Sequence, residues 1–348
     1  MSQVQAINMA SGEGWTLYNG DCVEGVACLP DESVGYSVFS PPFESIFTYS
    51  DSERDLGNCE SSEEFFTHFG FLVEQLYRVT KPGRLCSVHC MQLPSTMTRD
   101  GVIGLRDFRG GIIRCFTDRQ WIYHSEVCIW KDPVTAMQRT KALGLLHKQV
   151  VKDSAMSRQG IADYVCTFRK PGKNPDPISG GFDHYIGDAE SSEAVKKQNG
   201  NPSIDIWQRY ASPVWMDIDQ GRTLNARSAR EDEDTRHMCP LQLDVIDRCL
   251  QLWSKPGDVV LSPFAGVGSE GVESIKFGRK FIGFELKESY FKPGRQVSGW
   301  RRSRASRPGV IRRMSKLSKA LIDAGQLIDD LMIEPGDDRL DQDRRGQA

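Results

Sequence analysis

The hydrophobic pattern changes period several times along the chain, and each change marks an element. Trp15 to Asn19 reads as a short strand that turns at Gly20-Asp21. Val34 to Phe39 is a second β-like run, and it stops abruptly at Ser40-Pro41-Pro42-Phe43. Over 63–79 the residues Phe65, Phe66, Phe69, Leu72, Val73 and Leu76 recur every three or four positions, which predicts an amphipathic helix. Lys81-Pro82-Gly83 ends that helix, and strands are expected from Leu85 to Met91 and from Tyr123 to Trp130. From about 132 to 236 the periodicity weakens. Pro, Gly, Ser and Asp become frequent there, with basic residues at Arg139, Lys141, Lys148, Lys152 and Arg158, so the stretch reads as an insertion or loop-rich lobe.

The regular pattern returns at Pro240. Val245, Ile246, Cys249, Leu250 and Trp253 share one helical face. A strand is expected from Asp258 to Leu261, a helix from Ser269 to Phe277 and a strand from Arg279 to Glu285. A strand–helix–strand unit with so short a crossover implies a largely parallel sheet, and the fold class is α/β. Between Lys292 and Lys319 stand ten Lys or Arg residues and no acid. An amphipathic stripe at Met314, Leu317, Leu321, Ala324, Ile328 and Leu331 follows, and the charged end is expected to be disordered. The expected organisation is therefore 15–131, 132–236, 237–291 and a basic tail over 292–348.

Composition narrows the function class. The 348 residues are 39% hydrophobic and 26% charged, an ordinary soluble balance, and the net charge of −3 shows no global basicity. A nucleic-acid partner must then be recognised by local patches, of which the tail is one. The ten cysteines form no CxxC pair, and the six histidines show no spacing that suggests a metal, so no metal site is expected. No apolar run approaches the ~20 residues that a membrane helix needs. The N-terminus lacks a signal-peptide pattern, and a cytoplasmic location is expected.

Two segments carry chemistry. Phe264-Ala265-Gly266-Val267-Gly268 joins a strand to a helix, and its glycines permit a tight turn with a ligand lying against the backbone. Nineteen residues after Gly266 stands Glu285, at the end of the next strand, where an acid accepts hydrogen bonds from ribose hydroxyls in nucleoside-binding folds. No GK[ST] phosphate loop occurs in the chain, and a nucleoside without pyrophosphate is expected here in preference to NAD. A GxG by itself also fits a plain tight turn.

The second segment is Ser40-Pro41-Pro42-Phe43. Its prolines fix the backbone and donate no N–H, so carbonyls are presented as bare acceptors. An exocyclic amine of cytosine or adenine is a poor nucleophile, because its lone pair is delocalised into the ring. Two acceptors on its N–H bonds, the Ser40 hydroxyl and the Pro41 carbonyl, would draw the nitrogen toward tetrahedral geometry. Phe43 would stack on a base flipped out of the duplex. Ser-Pro-Pro also occurs in ordinary loops.

Together these segments resemble the amino-methyltransferases of DNA, whose signature is (D/N/S)PP(Y/F) plus FxGxG. The tetrapeptide comes first here, as in the permuted β arrangement of that family. Tyr18-Asn19-Gly20-Asp21-Cys22 resembles the element in which an acid contacts the cofactor's adenine, and His237 through Arg248 resembles the helix closing over its methionine part. The resemblance implies a Rossmann-like class I methyltransferase fold with an inserted target-recognition region, and S-adenosylmethionine as cofactor. It implies Ser40, Pro41, Pro42 and Phe43 as catalytic residues, with Asp21, Phe264, Gly266, Gly268 and Glu285 as cofactor-binding residues. Double-stranded DNA is the implied partner, and a homodimer is left open.

Serine at the first place of the tetrapeptide inclines the acceptor toward N4 of cytosine over N6 of adenine. A cytosine C5 enzyme is disfavoured because no Pro-Cys occurs. Ser262 departs from the family's usual Asp before Pro-Phe, which bears on how the cofactor's amino group is held. The rival functions are an RNA or protein-glutamine N-methyltransferase, and a DNA-binding module that has lost turnover.

Overall fold

The computed structural model describes residues 7–44, 52, 54–134, 147–156, 159–187, 200–224 and 240–294. In chain order the strands are β1 (Asn8–Gly12), β2 (Trp15–Asn19), β3 (Val34–Phe39), β4 (Thr80–Met91), β5 (Leu93–Ser95), β6 (Gly104–Arg106), β7 (Ile122–Ile129), β8 (Asp163–Arg169), β9 (Val214–Trp215), β10 (Val259–Ser262) and β11 (Lys280–Glu285). The helices are α1 (Cys22–Ala27), α2 (Ser62–Val79), α3 (Met97–Asp100), α4 (Phe108–Thr117), α5 (His147–Asp153), α6 (Pro202–Tyr210), α7 (Leu243–Trp253), α8 (Ser269–Lys276) and α9 (Glu288–Gly294).

Nine strands form one sheet in the order β1-β2-β11-β10-β3-β4-β8-β7-β9, while β5 and β6 form a separate ribbon. The central five, β2, β11, β10, β3 and β4, are parallel. From β10 the chain proceeds outward to β11, and from β3 it proceeds the other way to β4. Strand order therefore reverses between β10 and β3. The crevice outside the carboxyl ends of two such strands is where open α/β sheets bind ligands.

Side chains alternate across the strands and divide the core into two layers. Leu17, Tyr36, Val38, Val260 and Phe281 pack with Val245, Ile246 and Cys249 of α7 and Val272 and Ile275 of α8. Tyr18, Phe39, Val88, Leu261 and Phe284 pack on the opposite face with Phe65, Phe69 and Leu72 of α2 and Phe108 and Ile112 of α4. Helix α2 begins where Ser61 Oγ accepts from the Glu64 N–H (3.1 Å) and Glu64 Oε2 accepts from the Glu60 N–H (2.7 Å). That reciprocal cap fixes the helix start close to the crevice.

Helix α2 ends at Val79, and the chain passes straight into β4 at Thr80, so the Pro82-Gly83 stop lies inside the strand. The segment 132–236, read from sequence as an inserted lobe, supplies β8, which lies in the sheet between β4 and β7. Its residues are nearly all buried, so no alternation marked it as a strand. The same segment supplies β9 and α6. Arg248 of α7 binds it: the guanidinium lies 5.0 Å from the Tyr210 ring and 5.2 Å from the Trp215 ring, and pairs with Asp217 at 2.8 Å. Of the basic residues noted there, Lys148 and Lys152 fall on α5, while Arg139, Lys141 and Arg158 lie outside the described residues. The tail from 295 onward, including the amphipathic stripe, lies outside them too, as do His237, Met238 and Cys239.

Candidate active site

The two motif segments leave neighbouring strands at the reversal point. Ser40 to Phe43 follows β3, and the 263–268 loop follows β10. The rings of Phe39 and Phe264 sit 5.8 Å apart, joining the two loops at their base. Above them opens a cavity of about 400 Å³, lined by Ser40, Pro41, Pro42 and Phe43 from one loop and Phe264 and Gly266 from the other. Asp21 and Glu285 line it as well. The volume falls in the range of small-molecule and cofactor pockets.

Gly266 (φ 53°) and Gly268 (φ 87°) both adopt the left-handed conformation that side chains disfavour. A Cβ on Gly266 would meet nothing within 4 Å, so its side is kept open for whatever fills the cavity. Gly268 does not line the cavity; it caps α8 and its N–H donates to the Ala265 carbonyl at 2.7 Å. Asp21 caps α1, with Oδ1 accepting from the Val23 and Glu24 N–H groups at 2.9 Å each.

Glu285 clamps the glycine loop. Its Oε2 accepts from the Gly266 N–H at 2.8 Å and its Oε1 from the Lys287 N–H at 2.8 Å. Burial pushes its carboxyl up to about 7 despite those two donors. On the first turn of α8, Glu270 also lines the cavity, is 4% exposed, and is pushed up to about 8 by burial, with Glu285 adding to the rise. Ser262 is fully buried below the cavity without lining it, and its hydroxyl has no partner among the described residues.

The Glu270 shift has a definite sign. The unfolded chain ionises this carboxyl near 4.5 and the folded chain near 8, so the protonated form is the one the fold favours. Stability from that preference is full below 4.5 and is lost as pH rises toward 8. Glu270→Gln lacks the effect. The variant should therefore melt at the wild-type temperature near pH 4.5 and several degrees above it at pH 8.5, in thermal melts of the empty protein. A constant difference across that range would contradict the burial of an ionisable group here.

Behind the tetrapeptide runs a chain of polar groups that sequence reasoning missed. Ser40 Oγ lies 3.1 Å from His89 Nδ1, near the end of β4. His89 Nε2 lies 3.1 Å from Asp163 Oδ2 at the start of β8, and Lys131 Nζ lies 2.5 Å from the same oxygen. The His89–Asp163 approach is a close contact that does not meet hydrogen-bond geometry. His89 and Lys131 together hold the buried Asp163 carboxyl below its usual range, against the opposing effect of burial. With the ring proton on Nε2, on the Asp163 side, Nδ1 accepts from the Ser40 hydroxyl; the other tautomer reverses that bond. No local motif could have linked positions 40, 89, 131 and 163.

Glu44 was missed as well. It is a non-glycine residue at φ 48°, is buried, and accepts from Arg106 Nη1 at 2.6 Å and from the Ser62 hydroxyl. It ties the end of the tetrapeptide to β6 and to the start of α2. Phe43 packs edge-on to Phe108 at 5.8 Å. Tyr123 and Trp130, the ends of the strand expected from sequence, are 39% and 47% exposed and do not line the cavity. Cys59, Glu64 and His68 offer ligand atoms within 4.8 Å of one another, a grouping that the histidine spacings did not suggest. The Cys59 Sγ–His68 Nδ1 contact (3.7 Å) and the α2 cap account for that geometry.

Comparison with known proteins agrees with this arrangement. A family described as DNA methylase, of N6/N4 type, matches residues 34–296. The type II methyltransferase M.BamHI of Bacillus amyloliquefaciens is 23% identical over 270 residues, covering 78% of this chain and 54% of the relative. M.BglII of Bacillus subtilis is 24% identical over 281 residues, covering 81% of this chain and 68% of the relative. The chain thus spans about half to two thirds of the length of these curated relatives. Among solved structures, the Thermus thermophilus protein TTHA0409, complexed with S-adenosyl-L-methionine, shares the fold with a TM-score of 0.55 at 22% identity, over 80% of this chain and 90% of that one. PvuII DNA methyltransferase (cytosine-N4-specific) shares it with a TM-score of 0.57 at 15% identity, over 94% and 95%. With the match running through both motif loops and three quarters of the chain, this protein belongs to the N6/N4-type DNA methylase family.

Proposed function

We propose that this protein transfers a methyl group from S-adenosylmethionine to an exocyclic amino nitrogen of a base in duplex DNA, with N4 of cytosine as the preferred acceptor. One observation carries the reading: Phe43 and Gly266, 223 positions apart in the chain, line a single cavity. The open side of Gly266 and the Glu270 carboxyl, which no other side chain bonds among the described residues, suit a bound, partly cationic nucleoside. Gly266 and Glu285 would hold its ribose side, and Asp21 and Phe264 its adenine side. When bound, the cofactor supplies an electrophilic methyl group.

The chain's own residues do the rest. In the tautomer where His89 Nδ1 accepts from the Ser40 hydroxyl, the Oγ lone pairs are left for the cavity, and Ser40 accepts one N–H of the base amine. The Pro41 carbonyl accepts the other. As the nitrogen gains a methyl group, one of its protons passes to Ser40 Oγ while the Ser40 proton moves to His89 Nδ1. The resulting imidazolium is stabilised by Asp163. Phe43 stacks on the extruded base. The 132–236 segment and the basic tail supply contacts to the duplex, the tail through phosphates in a salt-sensitive manner.

Incubating duplex DNA with labelled cofactor and separating the nucleosides tests this reading. N4-methylcytosine is expected; N6-methyladenine would move the acceptor, and an absence of label in either would overturn the function. The relay has its own prediction. His89→Gln should slow single-turnover methylation by roughly 10²-fold, a typical general-base contribution, with cofactor affinity unchanged. A variant that loses cofactor binding and rate together would assign His89 a packing role instead.

A further inference from the structure

We infer that Glu270 is the acceptor for the α-ammonium group of S-adenosylmethionine, an assignment that rests on the cofactor reading above. Glu270 is 4% exposed and lines the cavity from the first turn of α8. Among the described residues no other side chain bonds its carboxyl, which leans only on its own backbone N–H. Its neighbour Glu285 is different, since each of its oxygens already accepts one backbone N–H, from Gly266 and Lys287. A buried carboxyl held by no more than one N–H costs stability, and such groups persist where a ligand completes them. Two acids along the same wall disfavour an anionic group between them and favour a cation.

The cofactor carries two cationic groups. Its sulfonium has no N–H to give, and its charge disappears as the methyl group leaves. A carboxylate set against it would stabilise the ground state more than the transition state and would slow transfer. The ammonium keeps its charge throughout and offers three N–H donors, the complement of an acceptor-only carboxylate. Ser262 cannot serve, because it is neutral and does not line the cavity. The acid that β10 lacks at its end is supplied eight residues later, from the helix.

The test titrates wild-type protein and Glu270→Gln with S-adenosylmethionine, S-adenosylhomocysteine and 5′-methylthioadenosine, and records the melting temperature of each empty protein. The second ligand keeps the ammonium but not the sulfonium; the third has neither. E270Q should weaken both amino-acid-bearing ligands alike, by about tenfold or more, the usual scale for a lost charge-assisted hydrogen bond. Binding of 5′-methylthioadenosine should not change, and the empty variant should melt no lower than wild type. Glu270→Asp, which keeps the charge, should recover part of the lost affinity. A loss confined to S-adenosylmethionine would move the contact to the sulfonium. A loss shared by all three ligands, or a lower melting temperature, would make Glu270 structural, and unchanged affinities would leave it without a ligand; each result overturns the assignment. Wild-type protein that binds none of the three would overturn the cofactor reading itself.

Discussion

Alanine in place of Ser40 is expected to lower the rate of methyl transfer by roughly 10²–10³-fold, the range for loss of one oriented hydrogen-bonding group at a reacting centre. Cofactor affinity should stay within about twofold of wild type, since Ser40 meets the base and not the nucleoside. The hydroxyl is singled out by its partner. A serine free to rotate would spend part of its time donating toward the cavity, which would repel an amine N–H. His89 Nδ1, 3.1 Å away, removes that freedom when, in the Nε2–H tautomer, it accepts the hydroxyl's hydrogen bond. Alanine abolishes both the acceptor and the exit path for the amine proton, while the Pro41 carbonyl remains and leaves residual turnover. Single-turnover rates at saturating DNA are the measurement. Equal falls in kcat and kcat/KM would mark an interaction made in the transition state; a change in KM alone would remove Ser40 from the chemistry.

Glu285→Ala should weaken cofactor binding by about 10²-fold, because it removes an acceptor for the ribose hydroxyls and frees the glycine loop that lies against the cofactor. The carboxylate's hydrogen bonds run to the Gly266 and Lys287 N–H groups. The melting temperature should fall with their loss. Glu285→Gln should sit between alanine and wild type, since one amide oxygen can satisfy one N–H, while the amide NH2 confronts the other donor. Titration with S-adenosylhomocysteine separates the three proteins without needing turnover. If Glu285→Gln and Glu285→Ala bound equally well, the clamp would not be what holds the ligand.

Most elements that carry the site were legible in the sequence because their periodicity is local. The strand ending at Phe39 and the helix beginning at Ser269 fall where the pattern puts them. Helix α7 does too, since its apolar face repeats every three or four residues. Elements that escaped have weak local signals. Helix α1 is six residues long, and its cap, Asp21, read as a ligand-binding acid. Strand β8 is buried on both faces, so its hydrophobic run resembles nothing periodic. Proline and glycine at 82–83 looked like a stop, yet antiparallel pairing with the chain around Lys170 carries β4 through them.

The sequence by itself determined the two loops, their order and the residue types that suit an amine acceptor and a nucleoside, because each loop's chemistry lies within five consecutive residues. Only the tertiary structure decided that His89, Lys131 and Asp163 stand in line behind Ser40, that each Glu285 oxygen accepts a backbone N–H, and that Glu270 lines the cavity with no other side chain bonding it among the described residues. Those relations depend on which strands lie side by side. Long-range contacts between β3, β4 and β8 fix that neighbourhood, and nothing in a short window of residues records it.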